Sequence, residues 1–157
     1  MPKNIKPPPL KPVMSLHTKI NLLKRVLKGE TLGYGRIFKV EKDSLIATVP
    51  IGYQDGYPRG LSNCGRVIIN GVYANVVGRI SMDWTLIDVT DVPNVKVNDV
   101  VILIGEQNSL RVTAEEIAQM AKTISYEVTC GISQRVSRIF CDAEMRENRE
   151  TKNSSFY

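Results

Sequence analysis

Residues 67–77 read Val-Ile-Ile-Asn-Gly-Val-Tyr-Ala-Asn-Val-Val and carry the clearest fold signal in the chain. Two apolar runs, rich in β-branched residues, flank the pair Asn70-Gly71. A two-residue type I′ turn needs positive φ at both central positions, and asparagine followed by glycine meets that need best. This stretch therefore predicts a β-hairpin.

Short strand patterns separated by turn residues continue on both sides of the hairpin. A second hairpin is predicted where Lys42-Asp43-Ser44 joins two such runs, and an alternating pattern predicts one half-buried strand near the N-terminus. Many short strands indicate an all-β barrel or sandwich, and the pattern alone does not choose between them. These further strands are predicted over residues 14–22, 37–41, 45–49, 84–90, 100–104 and 136–140.

One helix is predicted after the strand over 100–104. Thr113 and Glu116 have the spacing of a capping box, and Ile117, Met120 and Ile124 recur on one face. A shorter helix is predicted over residues 127–131. The expected fold is therefore mainly β, with one or two short helices.

Composition narrows the classes of function. The net charge is +5 and the pI is about 9.2, but the lysines and arginines are scattered, so we expect no nucleic-acid partner. No apolar run approaches the ~20 residues that span a bilayer, and no signal peptide is visible, so we expect a cytoplasmic protein with no membrane partner. The cysteines are far apart, and His17 lies on the polar face of its predicted strand, where we expect it to be exposed. We therefore expect no metal site.

The two ends of the chain differ from its middle. Residues 1–12 hold five of the eight prolines, which is typical of a linker or hinge. Residues 142–157 mix charges with few apolar residues and predict a flexible polar tail. The folded domain is predicted over residues 13–141.

A separate motif, residues 31–37, reads Thr-Leu-Gly-Tyr-Gly-Arg-Ile and places Tyr34 between two glycines. The glycines permit unusual backbone angles and let another molecule approach the ring. Free tyrosine titrates near ~10, so a tyrosine that acts as a base near pH 7 needs roughly 4 kcal/mol of differential stabilisation. Arg36, or an arginine of another chain, could supply part of it. Because Gly-Tyr-Gly is short and common, the motif alone favours the alternative, a tight turn around a packed tyrosine.

Four further motifs fall in order along the chain. Residues 49–59 read Val-Pro-Ile-Gly-Tyr-Gln-Asp-Gly-Tyr-Pro-Arg, residues 77–83 Val-Gly-Arg-Ile-Ser-Met-Asp, residues 124–128 Ile-Ser-Tyr-Glu-Val and residues 135–138 Arg-Val-Ser-Arg. Together with residues 31–37, they resemble the C-terminal domain of alanine racemase. The resemblance extends from about residue 10 to about residue 140. It implies a Greek-key β-barrel-like domain.

The resemblance also implies a reaction, the interconversion of L- and D-alanine for peptidoglycan synthesis. In that family pyridoxal 5′-phosphate stabilises the carbanion, and two bases on opposite faces exchange the α-proton. One base is the lysine that anchors the cofactor, and the other is a tyrosine from the second subunit of a homodimer. Tyr34 matches that tyrosine.

Other residues match family positions one by one. Met82 matches a position whose backbone contacts the substrate, and Asp83 lines the same pocket. Tyr126 matches a tyrosine that reaches the cofactor phosphate, and Arg138 matches an arginine of the C-terminal signature. The positions that match the substrate entrance are Tyr53, Arg59 and Arg79. Tyr57 and Tyr73 have no match and are interpreted as structural.

One part of the family pattern is missing. The family's N-terminal β/α barrel, of ~250 residues, carries the cofactor lysine, and no lysine here has that context. The chain is therefore expected to be a fragment, a separately expressed domain or the product of a split gene, which alone holds neither cofactor nor activity. Two alternatives stay open: a domain of a serine or broad-range amino-acid racemase, and a non-catalytic β-barrel interaction module.

Overall fold

The computed structural model describes residues 11–141; the predicted tail and most of the predicted linker lie outside them, so the division into domains stays a prediction. The described chain is built mainly of short strands, with two helices near its C-terminal end. In chain order the elements are β1 (Leu16–Lys19), β2 (Leu22–Val26), β3 (Thr31–Leu32), β4 (Phe38–Lys39), β5 (Ser44–Val49), β6 (Arg66–Ile69), β7 (Val72–Val76), β8 (Thr85–Asp88), β9 (Val100–Gln107), β10 (Leu110–Val112), α1 (Ala114–Ala121) and α2 (Ser125–Cys130).

The main sheet is antiparallel, with the strand order β1-β9-β6-β7-β8-β5-β2 and β10 paired to β9. Strands β6, β7 and β8 follow one another, and β9 returns by a long connection to lie beside β6. A fourth strand beside the first is the Greek-key arrangement. The predicted mainly β Greek-key fold with one or two short helices is therefore confirmed, and the structure has two.

The sheet curls into an open half-barrel rather than a closed barrel. Its edge strands β1 and β2 are consecutive in the chain and are joined by Ile20 and Asn21. The amide of Ile20 donates to the carbonyl of Asp99, and the amide of Asn21 donates to that of Thr48. The prediction of one strand over residues 14–22 is therefore wrong, because the chain changes partner strand at Ile20. Leu22, predicted on the buried face, is 52% exposed.

Local signals predicted some pairings correctly and others wrongly. The hairpin at Asn70-Gly71 is confirmed, with φ of 49° and 76°. The predicted hairpin around residues 42–44 is wrong, because β4 pairs with β3 while β5 pairs with β2 and β8. The strand predicted over residues 136–140 is also wrong: this segment has no ladder partner among the described residues, and Phe140 is 91% exposed.

The core lies inside the curled sheet, and α1 packs against it through Ile117, which is buried. Thr113 caps α1 by accepting a hydrogen bond from the amide of Glu116, as predicted. The Glu116 carboxylate instead forms an ion pair with Arg66 of β6. The predicted extension of α1 to Ile124 is wrong, since the helix ends at Ala121 and Ile124 is exposed.

Candidate active site

The tyrosine motif forms a tight turn on the surface. Gly33 and Gly35 flank Tyr34 with φ of 72° and 73°, a region that only glycine enters freely. Tyr34 is 73% exposed, and no buried residue lies in the turn from Tyr34 to Arg36. The turn therefore leaves Tyr34 largely exposed to solvent, and the alternative of a packed tyrosine is wrong.

Contacts from the segment that begins at Gly78 fix this turn. A Cβ on Gly33 would lie 2.8 Å from the amide nitrogen of Arg79, so the two backbones touch where Gly33 stands. The Arg79 guanidinium donates from Nε to the carbonyl of Tyr34 at 3.2 Å. Arg79, predicted at the substrate entrance, thus supports the backbone of the tyrosine turn.

Two polar side chains tie the same segment to a neighbouring loop. Asn63 accepts a hydrogen bond from the amide of Gly78 at 2.6 Å and donates to the carbonyl of Ile37 at 3.3 Å. Ser62 accepts from the amide of Ile80. Asn63 therefore bridges the tyrosine turn and the segment that supports it. Neither residue was predicted from the sequence to belong to the site, although an asparagine at positive φ often marks a turn.

The loop over residues 52–59 lies directly against residues 81–83. The amides of Tyr53 and Gln54 donate to the carbonyls of Ser81 and Met82, at 3.1 and 3.0 Å. Gly52 permits the approach, since a Cβ there would lie 2.3 Å from the carbonyl oxygen of Ser81. Tyr53 and Met82 are 45% and 48% exposed. The structure thus brings together two motifs that carry predicted substrate and entrance residues.

Two ion pairs of Arg135, which were not predicted from the sequence, join the loop over residues 52–59 to the segment over residues 81–83. Arg135 contacts the Asp55 carboxylate through Nε at 2.9 Å and the Asp83 carboxylate through Nη2 at 2.6 Å. The hydrogen bond to Asp83, helped by the charge of Asp55, raises the pKa of Arg135 above its usual value. The only sequence signal was the motif at residues 135–138, from which Arg138 alone was selected. Arg138 instead donates to the carbonyls of Ile132, Ser133 and Val136 and holds the backbone around Arg135.

The remaining predicted residues, Arg59 and Tyr126, are both exposed. Arg59 is exposed at the start of a turn whose last residue, Leu61, is buried. Tyr126 is 75% exposed on α2, and no hydrogen bond or ion pair joins its hydroxyl to another described residue. Helix α2 runs into Gly131, whose carbonyl packs against Gly56 of the loop over residues 52–59. An exposed phenol suits a donor to a phosphate, so Tyr126 fits one contact to pyridoxal phosphate but cannot hold that group by itself.

Two tyrosines interpreted as structural make internal contacts. Tyr57 is buried in the core, and Tyr73 exchanges hydrogen bonds with the backbone of Arg111. His17 is exposed, as predicted. Among residues 11–141, no helix has the length and apolar character needed to cross a membrane.

Comparison with known proteins decides the family. Residues 13–140 match the family described as alanine racemase, C-terminal domain. This chain belongs to that family. An alanine racemase of Clostridium acetobutylicum is 50% identical over 131 residues, which cover 83% of this chain and 34% of the relative. The chain thus spans about a third of the length of the curated relatives it matches.

Solved alanine racemases share the fold. The enzyme from Bacillus anthracis with bound L-Ala-P matches with a TM-score of 0.80 and 39% identity, over 85% of this chain and 34% of that chain. The enzyme from Bartonella henselae with covalently bound pyridoxal phosphate matches with a TM-score of 0.79 and 35% identity, over 86% of this chain and 37% of that chain.

Proposed function

We propose that this chain is the C-terminal portion of a pyridoxal-phosphate-dependent alanine racemase, in which Tyr34 moves the α-proton on one face of alanine. The observation that carries the proposal is the position of Tyr34. Tyr34 is 73% exposed, while its backbone is fixed by Gly33 and by the Arg79 guanidinium. A proton-transfer group needs this combination, because it must reach a substrate and hold one geometry.

Each further residue has a proposed role around that phenol. When bound, pyridoxal phosphate supplies the electron sink that makes the α-proton of an amino acid removable. The Tyr34 side chain accepts that proton as the phenolate or returns it as the phenol, and the backbone of Met82 with the Asp83 side chain orients the substrate. Tyr126 donates to the cofactor phosphate. The substrate entrance is bordered by Tyr53, Arg59 and Arg79.

The proposal requires partners that carry the rest of the site. The cofactor lysine belongs to the N-terminal barrel, and the Tyr34 turn completes the site of the second subunit in a homodimer. Two observations support this arrangement. The relatives are about three times as long as the matched region, and the phenols of Tyr34 and Tyr126 point away from the core of this domain. The product, D-alanine, would then serve peptidoglycan synthesis.

The experiment joins residues 13–140 of this chain to the N-terminal barrel of the Clostridium acetobutylicum relative. The purified chimera is loaded with pyridoxal phosphate and given L-alanine or L-serine, and each D-enantiomer is quantified by chiral chromatography. We expect alanine racemisation above that of the barrel alone. Faster serine racemisation would favour the serine or broad-range alternative. A folded chimera with no activity towards either amino acid would favour the non-catalytic module.

A further inference from the structure

Arg135 is the one described side chain that forms ion pairs with two acids from separate loops, Asp55 and Asp83. We propose that Arg135 is a positioning residue, which holds the segment over residues 81–83 in place for substrate. The proposal rests on the proposed function, because it assigns a use to that segment. Arg135 acts through Met82 and Asp83 and does not itself touch the reacting atoms.

The geometry depends on the fork of the guanidinium. Two different nitrogens of Arg135 contact the two carboxylates, Nε for Asp55 and Nη2 for Asp83. Asp55 is only 7% exposed, and its second oxygen accepts the amide of Gly52 at 2.9 Å. A lysine ammonium is a point charge and does not reproduce such a fork. Arg135 thus links the loop over residues 52–59, through Asp55, to the segment over residues 81–83, through Asp83.

Arg135 is itself held in place. The amide of Ser133 donates to the carbonyl of Asp55 at 3.0 Å, which ties the C-terminal segment to the loop over residues 52–59. Arg138 donates to the carbonyls of Ile132 and Val136 on both sides of that point. The guanidinium of Arg135 therefore starts from a fixed backbone, which lowers the entropy lost when it binds two acids.

The clamp formed by Arg135 with Asp55 and Asp83 holds the segment over residues 81–83, which backbone hydrogen bonds also hold. The amides of Tyr53 and Gln54 already bind the carbonyls of Ser81 and Met82, and Arg135 closes a ring by binding the next residue, Asp83. The Tyr34 turn has a separate anchor, the Nε atom of Arg79. Loss of the clamp should therefore weaken substrate binding more than proton transfer.

The first test uses the isolated chain and the variants Arg135→Gln, Arg135→Lys and Arg66→Gln. Arg66 is the matched control, because it also forms an ion pair with one carboxylate and is 40% exposed, against 47% for Arg135. Amide hydrogen exchange is measured by NMR. We expect about tenfold faster exchange at Tyr53 and Gln54 in Arg135→Gln, since hydrogen bonds between charged groups are lost. The Arg66→Gln variant should leave both amides unchanged.

The lysine variant tests the fork and replaces the glutamine variant if that one does not fold. We expect Arg135→Lys to recover less than half of the lost protection. If Arg135→Lys recovers all of the lost amide protection, a positive charge alone holds the two segments, and the role of the two-acid fork is wrong. Wild-type exchange at Tyr53 and Gln54 in Arg135→Gln would overturn the clamp.

The second test uses the barrel chimera. Arg135→Gln should raise the KM for alanine about tenfold and lower kcat by less than about threefold, while Arg66→Gln changes neither. An unchanged KM, or a loss confined to kcat, would overturn the positioning role. If the wild-type chimera is inactive, the proposed function fails by itself, and the exchange measurements still decide whether the clamp exists.

Discussion

The substitution Gly52→Ala tests whether residues 52–54 and 81–82 are held by direct backbone contact. Gly52 has φ of −146° and ψ of −163°, an extended conformation that alanine adopts without strain. Any loss of stability on substitution therefore comes from steric contacts of the new methyl group. It would lie 2.3 Å from the carbonyl oxygen of Ser81 and 2.4 Å from that of Met82.

The size of the effect follows from that clash. Carbon and oxygen in close contact stay ~3.3 Å apart, so the two segments must separate by about 1 Å. The separation breaks the hydrogen bonds donated by Tyr53 and Gln54, at about 0.5–1.5 kcal/mol each. Overpacking adds about 1–3 kcal/mol. We therefore expect Gly52→Ala to lower the free energy of unfolding by about 2–6 kcal/mol, out of the ~5–15 kcal/mol typical of a domain.

Urea unfolding followed by far-UV circular dichroism measures this loss, with Gly29→Ala as the control. Gly29 has φ of 92°, and a methyl group there would meet no atom within 4 Å beyond its chain neighbours, so the control carries backbone strain without a clash. The strain should cost about 1–2 kcal/mol. If Gly52→Ala loses no more free energy of unfolding than Gly29→Ala, the close approach of the two segments is wrong.

Two further predictions concern the core and the cofactor. Burial raises the pKa of the Tyr57 hydroxyl, which has no hydrogen-bond partner among the described residues. Tyr57→Phe should therefore stabilise the domain by about 1 kcal/mol at pH 7 and reduce the stability loss that accompanies a rise above about pH 10, as urea unfolding across pH would show. The isolated chain should retain no covalently bound pyridoxal phosphate; after gel filtration, a stoichiometric cofactor absorbance that borohydride removes would contradict this.

Local sequence chemistry predicted the parts of the fold that depend on neighbouring residues. The Asn70-Gly71 turn and the Thr113 cap each bring together groups three or fewer positions apart. The hairpin predicted around residues 42–44 was wrong because the partners of β5 lie in β2 and β8. Alternation shows that a segment is half-buried, but it does not show which strand lies beside it.

In the candidate site, too, the sequence predicted the local features but not the contacts between residues distant in the chain. The glycines around Tyr34 indicated a tight turn, since their effect on the backbone is local, but they did not show that the tyrosine is exposed. The contacts that fix the site are distant in sequence: Arg79 is 45 residues from Tyr34, and Arg135 is 52 residues from Asp83. No spacing rule selects such pairs among the many arginines and aspartates. The roles of the site residues therefore rest on family resemblance, and their positions rest on the structure.

The central claim is that Tyr34 moves the substrate proton on one face. The most direct measurement is deuterium wash-in at the α-carbon of each alanine enantiomer by the barrel chimera, before and after Tyr34→Phe. Only a hydroxyl is lost, and the phenol is exposed, so the fold should be unchanged. Tyr73→Phe, which removes a tyrosine hydroxyl outside the site, is the matched control.

A positioned acid or base contributes roughly 10²–10⁴-fold to a rate. If Tyr34 takes the proton from L-alanine while the barrel lysine serves D-alanine, Tyr34→Phe should reduce wash-in from L-alanine by about that factor. Wash-in from D-alanine should survive better, and Tyr73→Phe should change neither rate. Small and equal losses from both enantiomers in Tyr34→Phe would mean that this tyrosine only shapes the pocket, and the proposed role would be wrong.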